Sequence, residues 1–163
     1  MKKIVGTLIA LTGGIIIGAM AGAFVMNKLS SSMSMDKEKK IDKFKRYYNL
    51  LLQWVSKKQD SKDFSEYFID KGYKKIAIYG MGEIGFRLYE ELKNSDIEIK
   101  YAVDKSSNLI DVPFEVLDPE ELIDDEIDVL VITAAFAFEE LQEELSDKIS
   151  CPIISIEDIV YDL

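Results

Sequence analysis

Three glycines, Gly80, Gly82 and Gly85, follow the short apolar run Ile76 to Tyr79 with the spacing G-x-G-x-x-G. That spacing suits the binding of a pyrophosphate. The first glycine allows a tight turn out of a strand, the second lets the backbone approach the phosphates, and the third lets the next helix pack closely. Met81, Glu83 and Ile84 fill the loop and complete a candidate cofactor-binding set with the glycines. Glu83 could touch a ligand or serve as an acid at a helix N-terminus, where the dipole favours negative charge. Asp104, nineteen residues beyond Gly85, lies where a dinucleotide fold accepts hydrogen bonds from the adenosine ribose. An acid there favours NAD over NADP because a 2'-phosphate would be repelled, although Lys105 next door blunts the preference. Asp104 also reads as a solvated turn acid before Lys105-Ser106-Ser107-Asn108. Thr133 ends a second apolar run and would either face the loop as a ligand group or cap the following helix.

These residues need a scaffold, and the spacing around them supplies one. Phe86, Leu88, Tyr89 and Leu92 have helical periodicity directly after the loop, and Glu98 to Val103 then reads as a second strand ending at Asp104. Val112 to Val116 contains Pro113 and suits an edge strand. Asp118-Pro119-Glu120-Glu121-Leu122 starts a short helix with proline at its first position. Asp128 to Thr133 is a buried strand, Phe138 to Lys148 a helix, Ile153 to Ile156 a strand and Glu157 to Tyr161 a last helical turn. Strands alternating with helices imply an α/β fold with a doubly wound parallel sheet in the order 3-2-1-4-5, a minimal Rossmann-like domain over residues 73–163.

The charge is divided along the chain. Residues 1–35 carry three lysines and no acid, residues 36–75 twelve basic and seven acidic groups, and residues 76–163 five basic and twenty-three acidic groups; the nets of +3, +5 and −18 make up the total of −10. A distal region this acidic repels phosphate backbones, so nucleic acid is not an expected partner. The sequence has no histidine, which removes histidine-based catalysis and histidine-ligated metal sites. Cys151 is the one cysteine, so no intrachain disulfide can form. It reads as an inert buried thiol. Tyr89 and Lys93 form a Tyr-x-x-x-Lys pair of the kind short-chain dehydrogenases use for proton transfer. On this helix, however, the pair points along the side, away from the carboxyl edge of the sheet. No catalytic residue or metal ligand is therefore assigned.

Upstream, Ile4 to Met26 is 23 residues without a charge, enough to cross a bilayer core of about 30 Å as a helix. Residues 1–29 are read as a transmembrane anchor. Gly6, Ala10, Gly14, Gly18 and Gly22 recur every four residues and form a small-residue ridge suited to a homodimer. The competing reading is a cleaved signal peptide with Ala19-Met20-Ala21 as its cleavage site. Against that, the apolar block exceeds the usual length of about 7 to 15 residues for such a segment. Lys2 and Lys3 precede the block, whereas Lys28, Lys37, Lys39, Lys40, Lys43, Lys45 and Arg46 follow it. The positive-inside rule then gives a single-pass protein of the cell membrane with its C-terminal domain in the cytoplasm.

Residues 30–72 read as a polar joint and helical linker. Ser30 to Ser34 form the joint, and Asp36 caps an amphipathic helix continuing to about Gln59, with Ile41, Phe44, Tyr48, Leu51, Leu52 and Val55 on one face. That face is expected to pack on the acidic domain or on a second copy, with the membrane surface a remaining option. Trp54, Tyr47 and Tyr48 read as packing residues. A second helix is expected over Lys62 to Lys71, capped by Asp60 or Ser61 and closed by Gly72.

Together GYKKIAIYGMGEIGFRLYEEL, YAVDK, DVLVIT and CPIISIEDIV resemble small Rossmann-like domains of bacterial capsule and exopolysaccharide biosynthesis. Such domains are attached to glycosyltransferases or form the N-terminal nucleotide-binding part of membrane-bound nucleotide-sugar dehydratases. The resemblance covers about residues 72–163 and implies Gly80, Gly82, Gly85 and Asp104 as cofactor positions, NAD (or NADP) or a nucleotide-sugar as ligand, and polysaccharide-biosynthesis enzymes as partners. A single membrane helix and the lack of a following catalytic domain depart from that pattern. The expected function is a membrane-anchored cytoplasmic binding module, an accessory or regulatory protein. The alternatives are a small NAD-dependent oxidoreductase or nucleotide-sugar-modifying subunit completed by a partner, and a structural or interaction domain without a ligand.

Overall fold

The computed structural model describes residue 35 and residues 37–122 and 126–163. The apolar block Ile4 to Met26 with its small-residue ridge, the polar joint and Asp36 lie outside them. Among the described residues no helix is long and apolar enough to cross a membrane. The chain divides into two compact units, Met1–Phe44 and Lys45–Leu163. Residues 37–44 of the first are helical, and residues 45–59 of the second are helical too; the run 37–59 is α1.

The larger unit continues with α2 (Phe64–Lys71), β1 (Lys75–Tyr79), α3 (Glu83–Leu92), β2 (Glu98–Val103), β3 (Glu115–Leu117), β4 (Val129–Ile132), α4 (Phe138–Leu145), β5 (Ile153–Ser155) and α5 (Ile156–Asp162). All five strands are parallel, in the order β3-β2-β1-β4-β5, as the alternation of strands and helices requires. Ile76 and Ile78 of β1 and Val129 and Val131 of β4 point into one core with Ile84, Leu88 and Leu92 of α3, Phe64 and Phe68 of α2, and Ile156, Ile159 and Val160 of α5. Ala77, Leu130 and Ile132 point to the other face, where Leu145 of α4 and Ile149 cover them. The sheet is thus covered on both faces, as its fully apolar central strands demand.

Several boundaries differ from expectation for identifiable reasons. The cap of α2 is Asp63, whose Oδ1 accepts from the Ser65 amide at 2.9 Å, because Asp60 and Ser61 belong to the turn ending α1. Gly72 closes α2 with φ of 79°, as expected. The edge strand β3 starts two residues beyond Pro113, which has no N–H to offer a ladder. The Asp118 to Leu122 segment closes as a single 3-10 turn, Pro119–Glu121, with a capping box between Asp118 and Glu121. Asp128 precedes β4, and its carboxylate accepts from the amides of Lys74 and Lys75 at 2.7 and 2.8 Å. Those two N–H bonds hold its pKa below the usual carboxylate range.

The larger unit takes in residues 45–59 of α1 and the whole of α2. Leu50, Trp54, Phe64, Tyr67 and Phe68 are buried in the same core as β1 and α3, so the compact unit runs from Lys45 to Leu163. The face of α1 that packs inward is Tyr47, Leu50 and Trp54, not the expected stripe. Tyr48, Leu51, Leu52 and Val55 are 41–55% exposed. Trp54 stacks on Phe64 with ring centroids 4.5 Å apart and donates from its indole N–H to Glu91 at 3.2 Å. Tyr47 meets Phe136 edge to face. Arg46 holds the carboxylate of Glu157 on α5 with two short bonds, Nε to Oε1 at 2.9 Å and Nη2 to Oε2 at 2.7 Å, a fork geometry that fixes orientation as well as charge.

Candidate functional site

Every residue of the glycine loop lies where β1 meets α3, at the carboxyl edge of the central strands. Gly80 has φ of 98°, a left-handed conformation that side chains resist. Its amide donates to Val103 at the end of β2, at 2.8 Å. A Cβ there would stand 2.8 Å from Thr133 Oγ1. At Gly85, inside the first turn of α3, a Cβ would overlap the carbonyl oxygen of Gly80. The first and third glycines are therefore demanded by the fold itself.

Gly82 is different. It is the N-cap of α3 with φ of −70° and ψ of −166°, backbone that any residue adopts. A Cβ there would meet nothing within 4 Å. It supplies no side-chain cap, so no serine or aspartate oxygen covers the amides of the first turn. Beside it opens a cavity of about 590 Å³ lined by Leu51, Met81, Gly82, Glu83, Ile84, Phe86 and Arg87, within the usual size of a small-molecule site. Leu51 of α1, and Phe86 and Arg87 of α3, are wall residues that the motif alone does not indicate. Phe86 and Arg87 directly follow the third glycine, whereas nothing local in the sequence links Leu51 to the loop.

Asp104 is brought to the loop, but its carboxylate is turned inward. Oδ2 accepts from the Met81 amide at 2.7 Å and Oδ1 from the Ser106 amide at 2.8 Å. It braces the loop from the tip of β2 instead of standing as an unengaged turn acid. Thr133, 3% exposed, donates to the Gly80 carbonyl at 2.5 Å. Its hydroxyl neither caps a helix nor faces the cavity. Lys105 is exposed on the turn after Asp104, and Glu83 is exposed in the first turn of α3. Tyr79, at the end of β1, has its hydroxyl pKa pushed up by burial and then by the charges of Glu144, Asp104 and Asp118. It remains protonated at neutral pH and can donate a hydrogen bond but not serve as a base.

The other chemistry weighed in the sequence lies elsewhere. Tyr89 packs edge to face on Phe114, and Lys93 pairs with Glu90 at 2.6 Å. Cys151 is half-buried rather than fully enclosed, beside the core under α4. Among the described residues no group of acidic or cysteine side chains could hold a metal ion.

Compared with known proteins, residues 72–155 match the family described as C2185-like, N-terminal, which is just over half of the chain. The chain belongs to the C2185-like N-terminal family. No curated protein and no solved structure matches it. The C2185-like span runs from the closing glycine of α2 to the last residue of β5, so the whole sheet, the glycine loop, Asp104 and Thr133 are inside it. Leu51, the cavity wall from α1, is outside. Within this C2185-like domain, Asp104→Asn turns one amide donor toward a backbone donor. The expected cost is about 1–2 kcal/mol, read as a lower midpoint in urea unfolding. An unchanged midpoint would mean that the brace contributes nothing.

Proposed function

We propose that the chain is a membrane-anchored, cytoplasmic binding module that holds a dinucleotide or nucleotide-sugar on a Rossmann-like domain and serves surface-polysaccharide biosynthesis as an accessory or regulatory protein. The observation that carries the ligand is Gly82. Gly80 and Gly85 have internal reasons to lack a side chain, whereas Gly82 has none, and its open side faces the cavity. A bound pyrophosphate supplies the missing reason, since any side chain there would occupy its place. The first-turn amides of α3 would hold the phosphates, and Arg87 would add a positive charge. Leu51, Ile84 and Phe86 offer an apolar wall to the base. NAD fits this arrangement as a ligand to be recognised. Thr133 and Asp104 are committed to the loop and Tyr79 is held protonated, which supports recognition over turnover by this chain.

Thermal shift of the detergent-solubilised full chain with NAD, NADP, coenzyme A and UDP-sugars tests the reading. At least one is expected to raise Tm, because a ligand bound only to the folded state stabilises it by mass action. Gly82→Asp is expected to leave the ligand-free stability within about a few tenths of a kcal/mol of the parent, aspartate being a good N-cap. It should erase the ligand shift. A full shift in the variant would place the ligand elsewhere, and no shift with any of the four classes would leave only the structural role.

A further inference from the structure

We propose that Glu91 of α3 is a positioning residue for the ligand site: it touches no ligand itself, but ties α1 to α3 so that Leu51 stands against the glycine loop. The proposal rests on the reading of the cavity beside Gly82 as the ligand site. Glu91 is not part of the cavity lining, and Leu51 is the one lining residue contributed by a helix other than α3 and its loop. The Glu91 carboxylate, 20% exposed, gives one oxygen to each of two residues a turn apart on α1. Oε1 accepts from the Trp54 indole N–H at 3.2 Å, and Oε2 accepts from Lys58 Nζ at 2.7 Å.

The two helices keep step. Leu51, Trp54 and Lys58 recur along α1 in steps of 3 and 4, and Ile84, Arg87 and Glu91 recur along α3 in the same steps, so each set forms one face of its helix. At one end Leu51 shares the cavity with Ile84 and Arg87. The Glu91 bonds close the other end, roughly 10 Å further along at about 1.5 Å per residue. Between them Trp54 is buried and stacked on Phe64, which sets how deeply α1 seats. Two bonds to residues one turn apart set what burial leaves open, the rotation of α1 and its height along α3. The C2185-like span holds Glu91 but neither of its partners, so the clamp joins the family domain to the helix before it.

Calorimetric titration of the full chain in detergent with NAD, NADP, coenzyme A and UDP-glucose tests this. Against whichever of these binds, Glu91→Ala is expected to weaken Kd by about fivefold, the low end of a typical coupling between sites. By charge alone, loss of a carboxylate would tighten an anionic ligand, so a weaker Kd reads position. A lower Tm by itself leaves the Kd of a still-folded chain unchanged. In a Leu51→Ala background the same substitution should cost nothing further, because the wall it places is gone. Parent affinity in Glu91→Ala, or the full loss on top of Leu51→Ala, would overturn the proposal. Glu91→Gln, which keeps the shape, should weaken binding in the same direction if the alanine variant does not fold. Hydrogen exchange without ligand is the second arm: amides 50–56 of α1 should exchange faster in Glu91→Ala than in the parent, while those of β1 keep their protection. Unchanged exchange in α1 overturns the positioning role whether or not a ligand binds. Faster exchange in α1 together with no binding by the parent discards the ligand reading, and the positioning role with it, while keeping the clamp.

Discussion

Gly85→Ala is expected to destabilise the domain by about 3 kcal/mol, even though alanine is the better helix former. The added methyl has no room: it overlaps the carbonyl oxygen of Gly80, a backbone atom in a left-handed residue whose amide is tied to Val103. That atom cannot swing aside as a flexible side chain would. Relief requires α3 to shift away from β1, opening the core at Ile84 and Leu88. A fall in Tm of roughly 10 °C is the expected reading for a domain of this size. Gly82→Ala, three residues earlier at the N-cap of the same helix, provides the control: with nothing within 4 Å of the added Cβ it should lower Tm far less, by no more than the modest cost of alanine at an N-cap. Comparable melting of the two variants would show that the close approach of α3 to β1 has been misplaced.

Trp54→Ala is expected to cost more, about 3–5 kcal/mol. The indole is 5% exposed, stacks on Phe64 and donates to Glu91. Its removal leaves a cavity between α1, α2 and α3 that the rigid ring of Phe64 cannot fill. Trp54→Phe keeps most of the stacking and loses the hydrogen bond, for about 1 kcal/mol. Because Trp54 is the one tryptophan, its fluorescence in the parent chain reports α1 leaving the domain. Loss of that signal should coincide with loss of the sheet in urea. An earlier fluorescence transition would mean that α1 detaches as a unit of its own and is not part of the core.

Much of the sheet was legible because each strand is a short apolar run bounded by turn residues, and because right-handed crossovers leave few orders open. The glycine loop was legible for a similar reason: Gly80 and Gly85 satisfy steric demands made by their own neighbours. What escaped depended on choices made at a distance. Periodicity marks α1 as apolar at Tyr47, Leu50 and Trp54 as well as along the stripe from Ile41 to Val55, but it does not say which face the domain takes. Bulk decides, since Trp54 can stack on Phe64 and still reach Glu91. For α2, three candidate caps stand within four residues, and only where α1 ends selects Asp63. Asp104 was placed correctly at the tip of β2. Its engagement with the Met81 amide could not be foreseen, because the direction of a carboxylate depends on donors that the fold brings to it. Likewise Leu51 enters the cavity wall only through the packing of α1.

The three bonds around the loop have a kinetic consequence. Met81 is held from β2 by Asp104, Gly80 is held from β4 by Thr133, and the Gly80 amide is held by Val103. The turn is already in one conformation before anything binds, so little backbone freedom remains to be lost on association. Capture of the proposed ligand should then follow a single exponential whose rate rises linearly with its concentration, without a slower phase for rearrangement of the turn. If nucleotides are the ligands, as proposed, differences in affinity among them should lie in how long each one stays.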